Sequence, residues 1–209
     1  MLTKFLRASV KRPRPTFVAT GLESSVTGSN LIINKPTGTT TGDLMIAFYS
    51  ADVTGVSWTP PIGWTEVVEY TGRAGIGVAW KIATASEGTT YSFTFSGGGS
   101  TYNGFIATYR GAAYDVSGTA TNSATSSVAI SGITVTSNNS IALAFVAQSN
   151  NSATFTPASG FSSLASDLSN RPASQLWSRN VESGATGNQT FTSTNSGNLS
   201  GVLVSIKPS

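Results

Sequence analysis

The chain contains neither cysteine nor histidine among its 209 residues. Without cysteine it can form no disulfide and no thiolate metal site, and without histidine it lacks the commonest general base and zinc ligand. Charged residues make up only 10% of the chain, against about 25% in an ordinary soluble domain. No apolar run approaches the ~20 residues that a transmembrane helix needs. We therefore expect a non-enzymatic protein with no catalytic residues, no metal, no cofactor and no membrane span.

The few charges are unevenly distributed along the chain. The first 14 residues contain five basic side chains and no acid: Lys4, Arg7, Lys11, Arg12 and Arg14. Pro13 and Pro15 force the end of this segment into an extended path. The remaining residues carry seven basic and nine acidic side chains. This asymmetry predicts a basic, extended N-terminal arm over residues 1–24, attached to a faintly acidic body and suited to an anionic partner.

From about residue 25 the pattern is typical of β-strands. Short runs rich in β-branched and aromatic residues alternate with clusters of Gly, Pro, Asn and Thr. In residues 90–96, Tyr91, Phe93 and Phe95 alternate with hydroxyl side chains, which places the aromatic rings on one face. Residues 161–170 can hold one short helical turn. The candidate strands are residues 30–34, 43–50, 64–70, 76–83, 90–96, 104–110, 127–130, 133–136, 141–148, 174–179, 190–193 and 201–206.

An internal repeat runs through this β region. Residues 44–48 and 141–145 both end in Ala-Phe, and at the same offset of 97 Gly63 meets Gly160 and Trp80 meets Trp177. Self-similarity of this kind indicates duplicated structural units. We therefore predict an all-β, jelly-roll-like β-sandwich over residues 25–209. It would be made of two halves at about 25–112 and 125–209, with Trp80 and Trp177 as equivalent core anchors.

The sequence also contains candidates for chemistry and for ligand binding. A hydrolase would need paired carboxylates, for which Asp43, Asp52 and Glu66 are the candidates. Glu66 and Glu69 lie three apart on one predicted strand and so should point to opposite faces. Serine is abundant, but no histidine can serve as its base. Aromatic residues at or near predicted loops could instead form a platform that binds a glycan. The simpler interpretation is that they pack in the core. These residues are Trp58, Trp64, Tyr70, Tyr102 and Tyr114.

Five segments together resemble a family of jelly-roll-like β-sandwich proteins found in tailed-phage virions. They are TGDLMIA at 41–47, PPIGWT at 60–65, VAWKIA at 78–83, YSFTF at 91–95 and ATYRG at 107–111. The resemblance covers residues 41–111 well and the second half loosely. It implies a structural protein located in the virion, either a capsid decoration (cement) protein or a tail-associated component. It supplies no catalytic residues, and the basic arm lies outside it.

The expected function follows from this resemblance and from the arm. We expect a capsid decoration protein, acting as a homo-oligomer, that binds the major capsid protein or another virion protein and stabilises the head through its arm. The alternative is a tail or fibre component that binds a receptor or carbohydrate. Nucleic acid is the less favoured partner, because no aromatic side chain is interleaved with the basic ones. The expected partner-binding residues are Leu2, Lys4, Phe5, Leu6, Arg7, Lys11, Arg12, Arg14 and Phe17.

Overall fold

A computed structural model describes residues 12–27, 30–97, 101–150 and 152–209 of the chain. Within these ranges the protein is entirely made of β-strands and turns, which confirms the all-β prediction. The strands of the first half are β1 (Thr16–Thr27), β2 (Asn30–Asn34), β3 (Leu44–Ala51), β4 (Ser57–Thr59), β5 (Thr65–Tyr70), β6 (Gly75–Ile82), β7 (Thr90–Ser96) and β8 (Tyr102–Arg110). Among the described residues no helix is long and apolar enough to cross a membrane.

The second half continues directly from the first. Its strands are β9 (Ala112–Ser117), β10 (Thr121–Ser123), β11 (Ser127–Ile130), β12 (Thr134–Val135), β13 (Ser140–Gln148), β14 (Phe155–Thr156), β15 (Ser162–Asp167), β16 (Ala173–Val181), β17 (Gly184–Ala185), β18 (Gln189–Ser193) and β19 (Leu199–Pro208). β9 and β10 fall almost entirely between the two halves predicted from the sequence, about 25–112 and 125–209. Residues 162–167, where a helical turn was considered, form β15.

The first half is one antiparallel sheet folded over itself, in the order β4-β7-β2-β1-β8-β3-β6-β5. The long β1 joins the two layers, because its first part pairs with β8 and its last part pairs with β2. The side chains between the layers form the first-half core, in which Leu31 and Phe93 of one layer meet Met45, Ala79 and Ile106 of the other. Burial of these apolar faces closes the half on its own core.

The second half is built in the same way from separate sheets. An inner sheet has the order β10-β19-β13-β16-β15, with β9 also paired to β19. A small outer sheet has the order β11-β18-β14, and β12 pairs with β17. Between the inner and outer sheets, Val128 and Phe191 pack with Ala144, Trp177 and Leu203 in the second-half core.

The two halves pack against each other through their inner sheets, along an interface that we call the seam. β3 and β13 are buried on both faces. Because side chains alternate along a strand, Leu44, Ile46 and Phe48 point into the seam, together with Leu143 and Phe145 of the second half. The rings of Phe48 and Phe145 are 5.5 Å apart. The four layers thus enclose three apolar cores. The sequence had favoured a single jelly-roll sandwich, which would enclose one core.

The strand pairings of the first half recur in the second at an offset of 97 or 98 residues. β3 pairs with β6 and β8, as β13 pairs with β16 and β19. The register shift between Glu66 and Val68 in β5 also has its counterpart, between Ser163 and Ala165 in β15. The halves therefore share one topology. That this shared topology arose by duplication of the sequence remains a prediction.

One residue of extra loop length changes which side chains correspond. The loop between β5 and β6 is residues 71–74, and the loop between β15 and β16 is residues 168–172. Trp80 pairs with Ile46 on the seam face of β3, whereas Trp177 pairs with Ala144 on the opposite face of β13. A shift of one residue moves a side chain to the other face. The predicted equivalence of Trp80 and Trp177 is therefore wrong, and Ser178 is the counterpart of Trp80.

Candidate partner-binding site

The predicted arm is attached to the body much earlier in the chain than residue 24. Residues 16–24 belong to β1, an internal strand of the first-half sheet. Of the expected partner-binding residues, Arg12, Arg14 and Phe17 are described by the structure, and all three contact this same chain. The others lie outside the described residues, and their predicted role is untested: Leu2, Lys4, Phe5, Leu6, Arg7 and Lys11.

Arg14 fastens the start of the described chain to the second half. Its Nη1 donates hydrogen bonds to the carbonyl oxygens of Ser140, at 2.6 Å, and Val181, at 3.5 Å. Its Nη2 pairs with Oε1 of Glu182 at 2.8 Å. These acceptors lie where β13 begins and β16 ends. Arg14 thus forms non-covalent contacts with residues up to 168 positions away in the chain. The local sequence gives no signal of these contacts.

Asn139 completes this attachment. It adopts a positive φ of 59°, in the left-handed region that Asn tolerates better than most residues. Its Nδ2 donates to the carbonyl oxygen of Arg12 at 2.9 Å, and its backbone N–H donates to Oε2 of Glu182 at 2.8 Å. The side chain of Arg12 is exposed. Residues 12–14, the first described residues of the basic segment, are therefore held at a fixed place beside Asn139 and Glu182.

This place lies at one end of the molecule, which we call the termini end. The last residue, Ser209, donates its backbone N–H to the carbonyl oxygen of Gly111, and Pro208 pairs with Ala112 at the start of β9. Since Ile141 pairs with Ile206, the ends of β13 and β19 lie together. Residues 12–15 and 206–209 are therefore at the same end of the strands.

Phe17 lies on the flank of the termini end, where β1 passes the second half. Its side chain is 39% exposed, and its ring centroid is 5.5 Å from that of the buried Tyr109. Burial raises the pKa of Tyr109, and the nearby Ser178 side chain partly offsets this. Ser178, Ser162, Gly160, Arg179 and Asn180 surround an open, polar hollow of about 280 Å³.

The acids considered for catalysis have structural partners instead. Asp43 accepts hydrogen bonds from Arg110 and from the backbone and hydroxyl of Thr40, which lower its pKa although burial opposes this. Asp52 lies between Arg73, at 3.2 Å, and Arg171, at 2.5 Å. No group of three or more His, Cys, Asp or Glu in the described part of the chain could hold a metal ion.

Glu66 and Glu69 share one face of β5, contrary to the prediction. Glu66 pairs with Ala79, and Glu69 pairs with Gly77. The register shift between these positions adds one residue, so side chains three apart point the same way. Oε1 of Glu66 accepts from the Tyr49 hydroxyl at 2.6 Å, and Oε1 of Glu69 accepts from a backbone N–H at 2.7 Å.

The pKa of Glu66 is raised, first by burial and further by the charge of Glu69, while the Tyr49 hydrogen bond opposes the rise. The ring of Tyr49 lies directly over Gly77, where a Cβ atom would come within 1.9 Å of it. Each carboxylate is thus held against the first-half core. This arrangement supports the packing of the two layers.

The predicted aromatic platform is not available at the surface. Trp58, Trp64 and Tyr102 are at most 9% exposed and belong to the first-half core or its edge. Tyr70 is partly buried against the seam, and Tyr114 is stacked on Trp80 with ring centroids 5.5 Å apart. The simpler interpretation of these rings, as packing residues, is the one that the structure confirms.

The fold and this site define the class as an all-β protein of two packed β-sandwich halves, with a basic segment fastened at one end. No protein-family model matches the chain, and no curated protein and no solved structure shows significant similarity to it. Its function therefore has to be argued from the geometry alone.

Proposed function

We propose that this chain is a non-enzymatic structural protein of a phage virion, a capsid decoration protein that is tethered by its basic N-terminal segment. One observation carries the proposal: Arg14, Asn139 and Glu182 hold residues 12–14, the described end of the basic segment, at a fixed point of the body. A segment that starts from a rigid point loses less entropy on binding than one that starts from a mobile point. The four-layer body supplies a compact, firmly packed unit to be held on a surface.

The distribution of charge supports a protein partner with an acidic surface. The basic side chains of residues 1–14 have no acid among them, while Asp43, Asp52, Glu87 and Asp115 are each paired with a basic side chain within the body. The segment therefore holds the densest group of like charges in the sequence, and these charges are positive. The buried positions of Trp58, Trp64 and Tyr102 remove the main support for the carbohydrate-binding alternative.

The experiment separates the segment from the body. Residues 2–11 are deleted while Arg12 and Arg14, which contact the body, are kept. Capsids of the encoding virus, stripped of this protein, are incubated with each variant, and bound protein is quantified on gels. We expect at least a tenfold loss of occupancy for the deletion. Full occupancy of the deletion variant at low and high salt would overturn the proposal.

Two substituted variants divide the contribution of charge from that of apolar contact. In one, Lys4, Arg7 and Lys11 are replaced by Gln; in the other, Leu2, Phe5 and Leu6 are replaced by Ser. Because mobile ions screen exposed charges, binding that depends on the basic residues should weaken as salt is raised. The apolar variant should then keep the salt dependence of the natural chain. The symmetric homo-oligomer expected from the sequence remains a prediction, to be checked by the mass of the free protein.

A further inference from the structure

Two arginines from corresponding loops meet one carboxylate at the end of the strands opposite the termini end. Arg73 lies two residues before β6, and Arg171 lies two residues before β16. Nε of Arg73 is 3.2 Å from Oδ1 of Asp52, and Nε of Arg171 is 2.5 Å from Oδ2 of the same side chain. Asp52 is 5% exposed, so this buried carboxylate holds both guanidinium groups in place.

Asp52 and Ser149 occupy corresponding positions of the two halves. Asp52 directly follows β3, and Ser149 directly follows β13. Their backbone N–H groups donate to the carbonyl oxygens of Thr101 and Asn198, which lie at the same separation of 97 positions. Where the first half has a carboxylate, the second half therefore has a hydroxyl group.

The second half thus has an arginine without a carboxylate of its own. Nε of Arg171 donates to the backbone carbonyl oxygen of Ser149 at 3.1 Å, and it also approaches Asp52, which Arg73 already uses. Across the part of the chain that the structure describes, neither arginine forms an ion pair with any other acid. Two positive charges face one negative charge, so one positive charge is not compensated.

Asp167 is the acid nearest to Arg171 in the sequence, but its carboxylate has other partners. Its Oδ1 accepts hydrogen bonds from the backbone and hydroxyl of Ser169 and from the backbone of Asn170. Its Oδ2 accepts from the side chain of Asn170 at 2.6 Å. Asp167 therefore stabilises the turn that leads to Arg171 and does not supply the missing carboxylate.

The outer atoms of both guanidinium groups are accessible to a ligand. The side chains of Arg73 and Arg171 are 48% and 44% exposed, and Nε is the atom that each turns towards Asp52. Within the described ranges their Nη groups donate no hydrogen bond. Guanidinium groups match a carboxylate with two parallel hydrogen bonds. Fixed donors, uncompensated positive charge and access from solvent thus occur together at this place.

We propose that Arg73 and Arg171 form a binding site for a carboxylate group of a ligand. The ligand supplies the negative charge that Ser149 lacks in comparison with Asp52. It contacts the Nη groups from the solvent side, while Asp52 holds the Nε atoms from the protein side. The site lies at the opposite end from residues 12–14, so the proposal goes beyond the tethering function and does not depend on it.

Nuclear magnetic resonance of the full, nitrogen-15-labelled chain tests the site, with acetate as the probe. The Nε–H signals of the arginines are followed while acetate replaces chloride at constant ionic strength and neutral pH. We expect saturable shifts of the Arg73 and Arg171 signals, with a Kd on the order of 10 mM, because the donors are half exposed to water. The absence of a saturable shift at these two arginines would overturn the proposal.

A second anion tests the class of ligand. Dimethyl phosphate carries the same single charge as acetate, but its oxygens are less basic and accept hydrogen bonds less strongly. We therefore expect it to bind more weakly than acetate in the same titration. Tighter binding of dimethyl phosphate would show a preference for phosphate esters and would overturn the assignment to a carboxylate.

Three variants locate the site. Arg73→Gln leaves one guanidinium group for one carboxylate and should weaken acetate binding about tenfold. Ser149→Asp places the missing carboxylate in the second half and should abolish the acetate shift of Arg171. Lys35→Gln removes the same charge near the other end of β6 and should change nothing. Because Ser149 is buried, the half-exposed Arg73 is the decisive position: unchanged acetate affinity of Arg73→Gln would contradict the assignment.

Discussion

Glu23 lies near the end of the seam opposite the termini, which we call the far end. Its Oε2 is buried without a hydrogen-bond partner. Burial and, second, the charge of Asp167 raise the pKa of Glu23 to about 7, while the backbone N–H of Gly104 opposes the rise. Fully buried Asn103, Ser50 and Ser174 each also carry an unpaired oxygen. Four buried polar groups without a hydrogen-bond partner thus lie at this end of the seam.

We predict that Glu23 makes the protein less stable as the pH rises from about 4.5 to about 7. With a raised folded-state pKa, the folded protein keeps a proton that the unfolded chain releases, so stability falls across this window and stays low above it. Glu23→Gln should remove this dependence and be about 1–2 kcal/mol more stable than the natural chain at pH 8, allowing for solvent screening. Urea unfolding at several pH values measures both effects.

A second substitution checks the cause of the shift. Asp167→Asn removes the neighbouring charge and lets the pKa of Glu23 fall toward the value set by burial, so the loss of stability should end at a lower pH than in the natural chain. The sign follows from the charge: without Asp167 the pKa of Glu23 is lower, so the window in which stability falls becomes narrower. A Glu23→Gln variant with the pH dependence of the natural chain would contradict this account.

Single residues also show the limit of prediction from sequence. The offset of 97 aligned Trp80 with Trp177, yet one additional loop residue before β16 places these side chains on opposite faces of their sheets. Likewise, the register shift in β5 brings Glu66 and Glu69 to one face. Successive side chains of a strand point to opposite faces, so one inserted residue reverses the direction of every side chain after it. The periodic pattern of the sequence does not reveal such an insertion.

At the scale of elements, two corresponding loops clamp the far end of the seam. Arg73 of the β5–β6 loop and Arg171 of the β15–β16 loop share the carboxylate of Asp52, whose side chain is 5% exposed. Arg171 also donates to the carbonyl oxygen of Ser149 at 3.1 Å. Since Arg171 belongs to the second half and Asp52 to the first, this cluster ties the halves together.

We predict that Asp52→Asn lowers the free energy of unfolding by about 1–3 kcal/mol, because two guanidinium groups lose one buried acceptor. Glu182→Gln is the control: it breaks the pair with Arg14, but the Glu182 side chain is 58% exposed, so its loss should cost under about 1 kcal/mol. Chemical denaturation of both variants measures the difference. A smaller effect for Asp52→Asn than for Glu182→Gln would count against the clamp.

Long strands were predictable where short ones were not. β3, β7, β13 and β19 each show continuous or alternating burial over at least seven residues, and their apolar patterns mark them in the sequence. β4, β14 and β17 have two or three residues, too few to show a period. β1 was missed up to residue 24 because its surroundings, a proline-rich basic segment, suggested an arm.

At the scale of the whole molecule, the contacts across the seam are reciprocal. β8 meets β16 while β19 meets β6, and these are corresponding strands of the two halves. Such an exchange of equivalent contacts is the property of a two-fold symmetric interface. The chain is therefore organised as a dimer within one polypeptide, with the short turn at Gly111 joining its parts.

We predict that the chain can be divided at Gly111 and reassembled. Each half encloses its own core but presents the apolar seam face, which needs a partner. Coexpressed segments 1–111 and 112–209, with a purification tag on one, should therefore copurify in equal amounts. The same segments carrying Phe48→Asp and Phe145→Asp provide the control and should not. Halves that purify separately as folded, soluble monomers would show that the seam is dispensable.

The common position of residues 12–15 and 206–209 has a consequence for any use of the protein on a particle. If the proposed tether is correct, a domain joined to residue 209 would lie at the same end as residues 12–15 and would compete for room with the surface that is bound. The exposed turn at Thr54 and Gly55, beside Asp52 at the far end, faces the opposite way. An epitope inserted there would therefore be displayed at the opposite end from the proposed attachment.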